Sequence, residues 1–193
     1  MKYILNKLQE KTTNNFRVNE IKLDLDLPEN FKLKKYEIKN NKLEITEEEK
    51  AETLTSKIGL TLNKYKELNI KVPKYFNAKE PIIIRYTFEE NNDLVENINI
   101  EYESSSSANI IFIYNSKDDT KSFHFFKENL IMQENSNATI SIINLINSNS
   151  ESFISIESNV KENASVTHNI IDLGGKIRLS NVYSELKEYN ASN

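Results

Sequence analysis

The chain has no cysteine and no tryptophan, and only three glycines, three prolines and two histidines in 193 residues. Without cysteine it can form no disulfide, no thiolate zinc site and no cysteine-held iron–sulfur cluster by itself. So few glycines and prolines exclude collagen and a Pro-rich linker. No apolar run reaches the ~20 residues that a membrane-spanning helix needs. The start, Met1-Lys2-Tyr3-Ile4-Leu5-Asn6-Lys7, lacks the apolar core of a signal peptide, so the cytoplasm is the expected compartment. Basic charge is also scarce: 25 Lys and Arg stand against 29 Asp and Glu, a net charge of −4. A general nucleic-acid binder would carry the opposite balance. Neither nucleic acid nor membrane is an expected partner.

What the chain does have is order. Hydrophobic residues make up 38 %, too many for general disorder. An Asn-Ala-Thr/Ser triplet begins at Asn137, Asn163 and Asn190, at steps of 26 and 27 residues. Recurrence at one spacing means a repeated structural unit. Thr139, Ile140, Ser141 and Ile142 alternate polar and apolar, as do Ser165, Val166, Thr167 and His168, and Phe153 to Glu157. Alternation marks strands with one face buried. Asn147-Ser148-Asn149-Ser150 and Gly174-Gly175 are turn-forming runs between them. Each period then supplies two short strands and two corners, and the Ile and Val side chains of stacked coils build one interior column. Asn tolerates a left-handed backbone at a corner. The fold expected is mainly β: a parallel β-helix, or β-solenoid, with a small mixed and helical N-terminal region.

Two regions divide the chain. Residues 1–80 read as mixed. Tyr3 to Gln9 suits a short helix; Ile21, Leu23, Leu25 and Leu27 alternate up to Pro28; Phe31, Leu33, Tyr36 and Ile38 suit an extended piece. Residues 46–76 read as helical, because Thr46 and Glu49 have capping-box spacing and Glu47 and Glu48 suit a helix N-terminus. Gly59 would separate two helices, with Leu60, Leu62, Tyr65 and Leu68 on the second, ended by Pro73. Residues 81–193 form the repeat core, with the solenoid beginning near residue 82. There the strand 82–88 precedes a turn at Asn91-Asn92-Asp93, the alternating Ile98, Ile100 and Tyr102, a corner at 104–107, and an earlier, longer coil from Ala108 with an excursion at 115–120. Phe123, Phe125, Leu130 and Met132 fill the second half of that coil. The core ends after a third Asn-Ala-Ser corner, open or truncated at Asn193; a fragment of a longer protein is expected, since solenoids need caps.

Asn163-Ala164-Ser165 followed by Ile171-Asp172-Leu173-Gly174-Gly175-Lys176, together with Leu94-Val95-Glu96-Asn97-Ile98-Asn99-Ile100, resembles the core of the SufB/SufD proteins of iron–sulfur cluster assembly. Leu5-Asn6-Lys7-Leu8 followed by Phe16-Arg17-Val18-Asn19-Glu20 resembles the start of SufD, and the lack of cysteine also suits SufD. The resemblance implies a flattened right-handed β-helix flanked by helical segments. It implies pairing with a SufB-like paralogue, or with itself, through the β-helix. It implies a SufC-like ATPase bound through a C-terminal part absent here, and opening of the paired interface driven by ATP hydrolysis. Cluster-building residues would lie beyond Asn193, so the resemblance assigns no catalytic, cofactor-binding or metal residue to this chain. A cluster would be held only in the assembled complex.

The remaining candidates each read as structural. His168 falls on the inward parity with Val166 and Ile170, aligned by the repeat with Ile142: a core histidine with a hydrogen-bond partner. His124, between Phe123 and Phe125, reads as pointing outward. Gly174-Gly175-Lys176 lacks the upstream Gly and following Ser/Thr of a phosphate loop and reads as a turn. The Asn-Ala-Thr/Ser triplets fit the glycosylation sequon, but corner chemistry explains their recurrence. Asp118-Asp119 reads as a solvated loop and Glu47-Glu48-Glu49-Lys50 as a solvated helix start. A non-catalytic scaffold is therefore expected. The alternatives are a β-helix enzyme acting on polysaccharide, which needs a charged cluster along one face, and a stand-alone solenoid adaptor.

Overall fold

The computed structural model describes residues 2–5, 21–25, 27, 36–39, 43–89, 93–117, 119 and 121–193. Among them all regular structure is strand. The strands are β1 (Lys2–Leu5), β2 (Ile21–Asp24), β3 (Glu37–Lys39), β4 (Glu44–Lys50), β5 (Leu54–Thr55), β6 (Thr61–Leu62), β7 (Tyr65–Val72), β8 (Ile82–Phe88), β9 (Leu94–Tyr102), β10 (Ser107–Ser116), β11 (Phe123–Met132), β12 (Asn137–Leu145), β13 (Glu151–Val160), β14 (Ser165–Asp172) and β15 (Ile177–Leu186).

From β7 onward the chain alternates between two sheets. One has the order β15-β13-β11-β9-β7-β4 and the other β14-β12-β10-β8-β3. Every neighbouring pair from β7 to β15 is parallel and in continuous register, so the chain winds as stacked coils, a β-solenoid. Parallel pairing with both faces crossing between sheets is the economical way to bury strands this short. At the first coil β4 and β3 pair antiparallel with β7 and β8. They occupy edges that would otherwise present unpaired backbone groups.

The interior holds one continuous apolar cluster running from Leu68 to Val166. Its rows follow the register: Ile84, Phe112 and Ile142 line up in one sheet, and Leu68, Ile98 and Ile156 in the other, with Glu128 between the last two. Each such fully buried side chain contributes about 1.5–3 kcal/mol. A second cluster lies outside the solenoid. Val95, Phe125, Phe153 and Leu179 form an outward row on the six-stranded sheet, with Phe123 beside it. The N-terminal strand pairs β1–β2 and β5–β6 cover this row with Leu5, Leu25, Leu54, Ile58, Leu60 and Leu62, as a strap.

One corner repeats along the stack. Tyr75, Ser105, Asn135, Asn163 and Asn190 all have positive φ, at steps of 30, 30, 28 and 27 residues. The N–H of each of the first four donates to a carbonyl near the same corner of the next coil, as in Asn135 to Glu162 at 3.0 Å. The Asn-Ala triplets at Asn163 and Asn190 sit on this corner, but the one at Asn137 does not. Asn137 starts β12 and pairs with Ser165; Asn135 occupies the corner two residues earlier. Likewise His168 pairs with Ile140 rather than Ile142.

The helical expectation for 46–76 is overturned. Residues 44–50 form β4, whose charges pair across and along the strand: Glu47 with Lys66 at 2.9 Å and Glu48 with Lys50 at 2.7 Å. Gly59, with φ of 94°, closes the turn between β5 and β6. Leu60 and Leu62 face the strap cluster while Leu68 faces the solenoid interior, so they never shared one helical side. Pro73 does end its element, the strand β7, which already pairs in parallel with β9. Parallel stacking thus begins at Lys66 rather than near residue 82. Lys2–Leu5 is strand, not helix; the rest of that expected helix, and Phe31 and Leu33, lie outside the described residues. Ile21–Asp24 is the strand its alternation predicts.

Candidate functional site at the last coil

β14 and β15 each have one strand neighbour in their sheets among the described residues. Their surroundings expose apolar side chains: Leu173 is 73 % exposed and Tyr189 76 %, with Ile171, Val182 and Leu186 about half as open or more.

The interior beneath this edge turns polar. His168 on β14 directs Nε2 to the Glu128 carboxylate of β11 at 3.0 Å, and its Nδ1 lies 3.2 Å from the Asn193 amide oxygen. Its side chain is only 4 % exposed. Burial alone would lower the His168 pKa, but the Glu128 hydrogen bond and charge, with Asn193, hold it above the usual histidine value. Asp172 accepts from Asn144 at 2.9 Å and from the Ser180 hydroxyl at 3.1 Å, while its backbone carbonyl accepts from Arg178 at 2.9 Å. Sequence parity had placed His168 inward with a partner, and the structure agrees.

His124 does not point outward. It is fully buried on the inward side of β11, its ring between Phe88, Tyr114 and Phe126. Nε2 lies 3.0 Å from Glu96 and Nδ1 lies 3.4 Å from the Ser152 hydroxyl. Phe123 and Phe125 are the residues facing out, under the strap. Burial pushes the Glu96 carboxyl up, opposed by the His124 hydrogen bond, and burial with Glu96 alongside pushes the Tyr114 phenol up. Glu96, His124 and Ser152 bring together the residue types of a hydrolase triad. All three are sealed in the core, so no substrate carbonyl can reach the Ser152 hydroxyl. The second oxygens of Glu96 and Glu128 are buried without a hydrogen-bond partner.

The other sequence candidates fall into place. Gly174 and Gly175 make the tight turn into β15, with Gly175 at φ of 99°. Asp118 lies outside the described residues, and Asp119 is an exposed loop residue with φ of 63°. Across β8, β10, β12 and β14, the outward rows run Ile83, Ile111, Ser141, Asn169 and Arg85, Ile113, Ile143, Ile171. Arg85 is the one charged side chain that β8, β10, β12 and β14 turn outward, and Glu37 and Lys39 of β3 stand beside it at the edge of the sheet. Among the described residues no group of three or more His, Asp and Glu is arranged to hold a metal ion.

Comparison with known families matches residues 85–193, more than half of the chain, to the SufBD core domain of SUF-system FeS cluster assembly. The chain belongs to the SufB/SufD family. The match covers the stacked coils from β8 to the last, including both His–Glu pairs. Membership gives this SufBD-family chain a role in iron–sulfur cluster assembly within the SufBCD system. No curated protein and no solved structure matches the chain. No helix among the described residues is long and apolar enough to cross a membrane.

Proposed function

We propose that this chain is a non-catalytic scaffold of iron–sulfur cluster assembly, SufD-like, acting in the cytoplasm. It pairs through its β-helix with a SufB-like paralogue or with itself. It works with a SufC-like ATPase engaged by a part of the protein outside this sequence. The observation that carries the reading is the SufBD core match, which falls on the coils themselves. The cluster is then cargo of the assembled complex, not a resident of this chain.

The test is co-expression of the full-length protein with the SufB-like and SufC-like proteins of the same cell, followed by affinity capture and size-exclusion chromatography. A complex containing all of them is expected. Elution of the protein alone in the presence of both would overturn the SufD-like reading.

A further inference from the structure

The outward face of the five-stranded sheet carries a narrow apolar stripe. Its outward residues fall into rows across the coils: Ile83, Ile111, Ser141, Asn169, and beside them Arg85, Ile113, Ile143, Ile171. In the next row Thr87 and Asn115 lead to Leu145. The aliphatic side chains therefore step along the strands as the coils advance. Ile83 and Ile111 give way to Ile113 and Ile143, and these to Leu145 and Ile171. Ser141 and Asn169 flank the stripe on one side; Arg85, Thr87 and Asn115 flank it on the other. β8, β10 and β12 each have strand neighbours on both sides, so these side chains are open laterally. Ile83, Ile111, Ile113 and Ile143 are half-buried, while Leu145 is 39 % exposed and Ile171 41 %. None of the six belongs to, or packs against, either hydrophobic cluster of the described residues. The outward row Val95, Phe125 and Phe153 on the other sheet is the contrast: the strap buries it completely.

We infer that this stripe docks one amphipathic helix of a partner protein, laid diagonally over β8, β10 and β12. Its dimensions select that occupant. Ile83 and Leu145 are separated by two strand spacings and four residues of register, which is about 16 Å at ~4.8 Å per strand and ~3.3 Å per residue. Two aliphatic side chains stand abreast on β10 and again on β12, giving a width of about 10 Å. A helix of three turns is about 16 Å long and 10–12 Å across, and it presents one apolar stripe between polar sides. The polar flanks of the sheet then meet the polar sides of the helix. A second copy of this chain is a poor fit. Even with side-chain relief doubling the plan area, the stripe offers roughly 300 Å², against the ~800 Å² that each partner of a stable pair buries. The charge distribution agrees, because interfaces are depleted of charge at their centre. Arg85, with Glu37 and Lys39 of β3, stands at the rim, and β8, β10 and β12 turn no other charged side chain outward. A footprint of this size makes a transient contact, with a Kd on the order of 100 µM. Such docking is separate from pairing between solenoids and does not rest on the SufD-like reading.

Methyl NMR of the full chain tests it, with isoleucine and leucine methyls labelled. The probe is an amphipathic model helix of about 14 residues with leucine at i, i+3, i+4, i+7 and i+11 and Lys and Glu elsewhere. A peptide of the same composition with its leucines spread round the helix is the control. Saturable shifts are expected at Ile113, Ile143 and Leu145, and not at the interior Ile84 and Ile142. The double variant Ile113→Thr with Ile143→Thr keeps β-branched side chains on both strands and should weaken binding by at least about tenfold. Should that variant fold poorly, Leu145→Ser changes one exposed side chain at the end of β12 and should weaken binding by about threefold or more. Absence of saturable shifts at the stripe up to about 1 mM peptide, or equal binding of the control, would overturn the inference. Shifts at these methyls on concentrating the protein alone would assign the stripe to a second copy instead. Flotation with phosphatidylcholine–phosphatidylglycerol vesicles that is lost in the double variant would assign it to a membrane, and either result rejects the helix. The probe is not a Suf protein, so the outcome is independent of whether SufB-like or SufC-like partners co-purify.

Discussion

Gly174→Ala is the sharpest test of the stacked geometry. A Cβ built on Gly174 would stand 1.6 Å from the Ile146 carbonyl oxygen and 2.8 Å from its carbon. Ordinary contact begins near 3.4 Å, so the turn would have to lift by about 2 Å against backbone, which cannot rotate aside as a side chain can. Two hydrogen bonds tie this turn to the coil beneath: Leu173 N–H to Asn144 at 3.0 Å and Lys176 N–H to Ser150 at 2.6 Å. Losing both, with their carbonyls left buried and unmatched, costs about 2–6 kcal/mol. Gly175→Ala next to it meets only the Arg178 side chain at 3.0 Å and a φ of 99°, a strain of about 1–2 kcal/mol. Urea unfolding followed by circular dichroism measures both. Because each coil contacts only its neighbours, the damage should fall first on the last coil and split the transition. A Gly174→Ala protein within about 0.5 kcal/mol of wild type, or one less damaged than Gly175→Ala, would refute the close approach of these coils.

Four further outcomes follow from other parts of the stack. Asn163→Ala, at φ of 53°, should cost about 1–2 kcal/mol in chemical denaturation, with Asn163→Gly recovering most of it. Asn137→Ala, in an extended strand start within the same triplet, should stay within about 0.5 kcal/mol. Phe125→Ala empties the middle of the row under the strap and should cost about 3–5 kcal/mol, with proteolysis appearing within 54–62 before the coils themselves are cut. Glu96 has a raised carboxyl pKa, so the wild type should lose stability as pH rises from 4.5 through the folded value; Glu96→Gln keeps an acceptor for His124 and should flatten that loss in melts recorded across the range.

The repeat was legible because two strands and two corners per coil leave alternation and turn residues at a nearly fixed period. Its phase was not. The corner demands a left-handed backbone, which Asn, Ser and even Tyr supply at Asn135, Ser105 and Tyr75. It does not demand the triplet Asn-Ala-Thr/Ser, so matching letters slid the coil at Asn137 by two residues. Coil length also varies between 30 and 27 residues, which leaves no constant period to correct the slip. The inward parity of His168 survived because a two-residue slip returns a strand to the same face.

Where parity failed, the cause was a covering that the local pattern cannot announce. Phe123 and Phe125 look inward only if one face of the strand is wet, and that assumption sends His124 to solvent. In this chain both faces of β11 are dry at that end: the solenoid interior takes His124 and Phe126, and the strap takes Phe123 and Phe125. The strap in turn escaped notice because its strands are short. Leu54–Thr55 and Thr61–Leu62 hold two residues each, too few to show a period, while Thr46 to Glu49 satisfies a helix-start pattern by composition alone. Tertiary contacts then override that local preference: Glu47 finds Lys66 across an antiparallel edge, and the edge exists only because β7 needs a partner on the side away from β9. The same dependence governs the polar interior. A lone His in an alternating strand says nothing of its partner when Glu96 lies 28 residues before His124 and Glu128 lies 40 before His168. Each pair closes to 3.0 Å only in the folded stack, and β11 carries one member of each, so a one-residue shift of that strand would dissolve both at once.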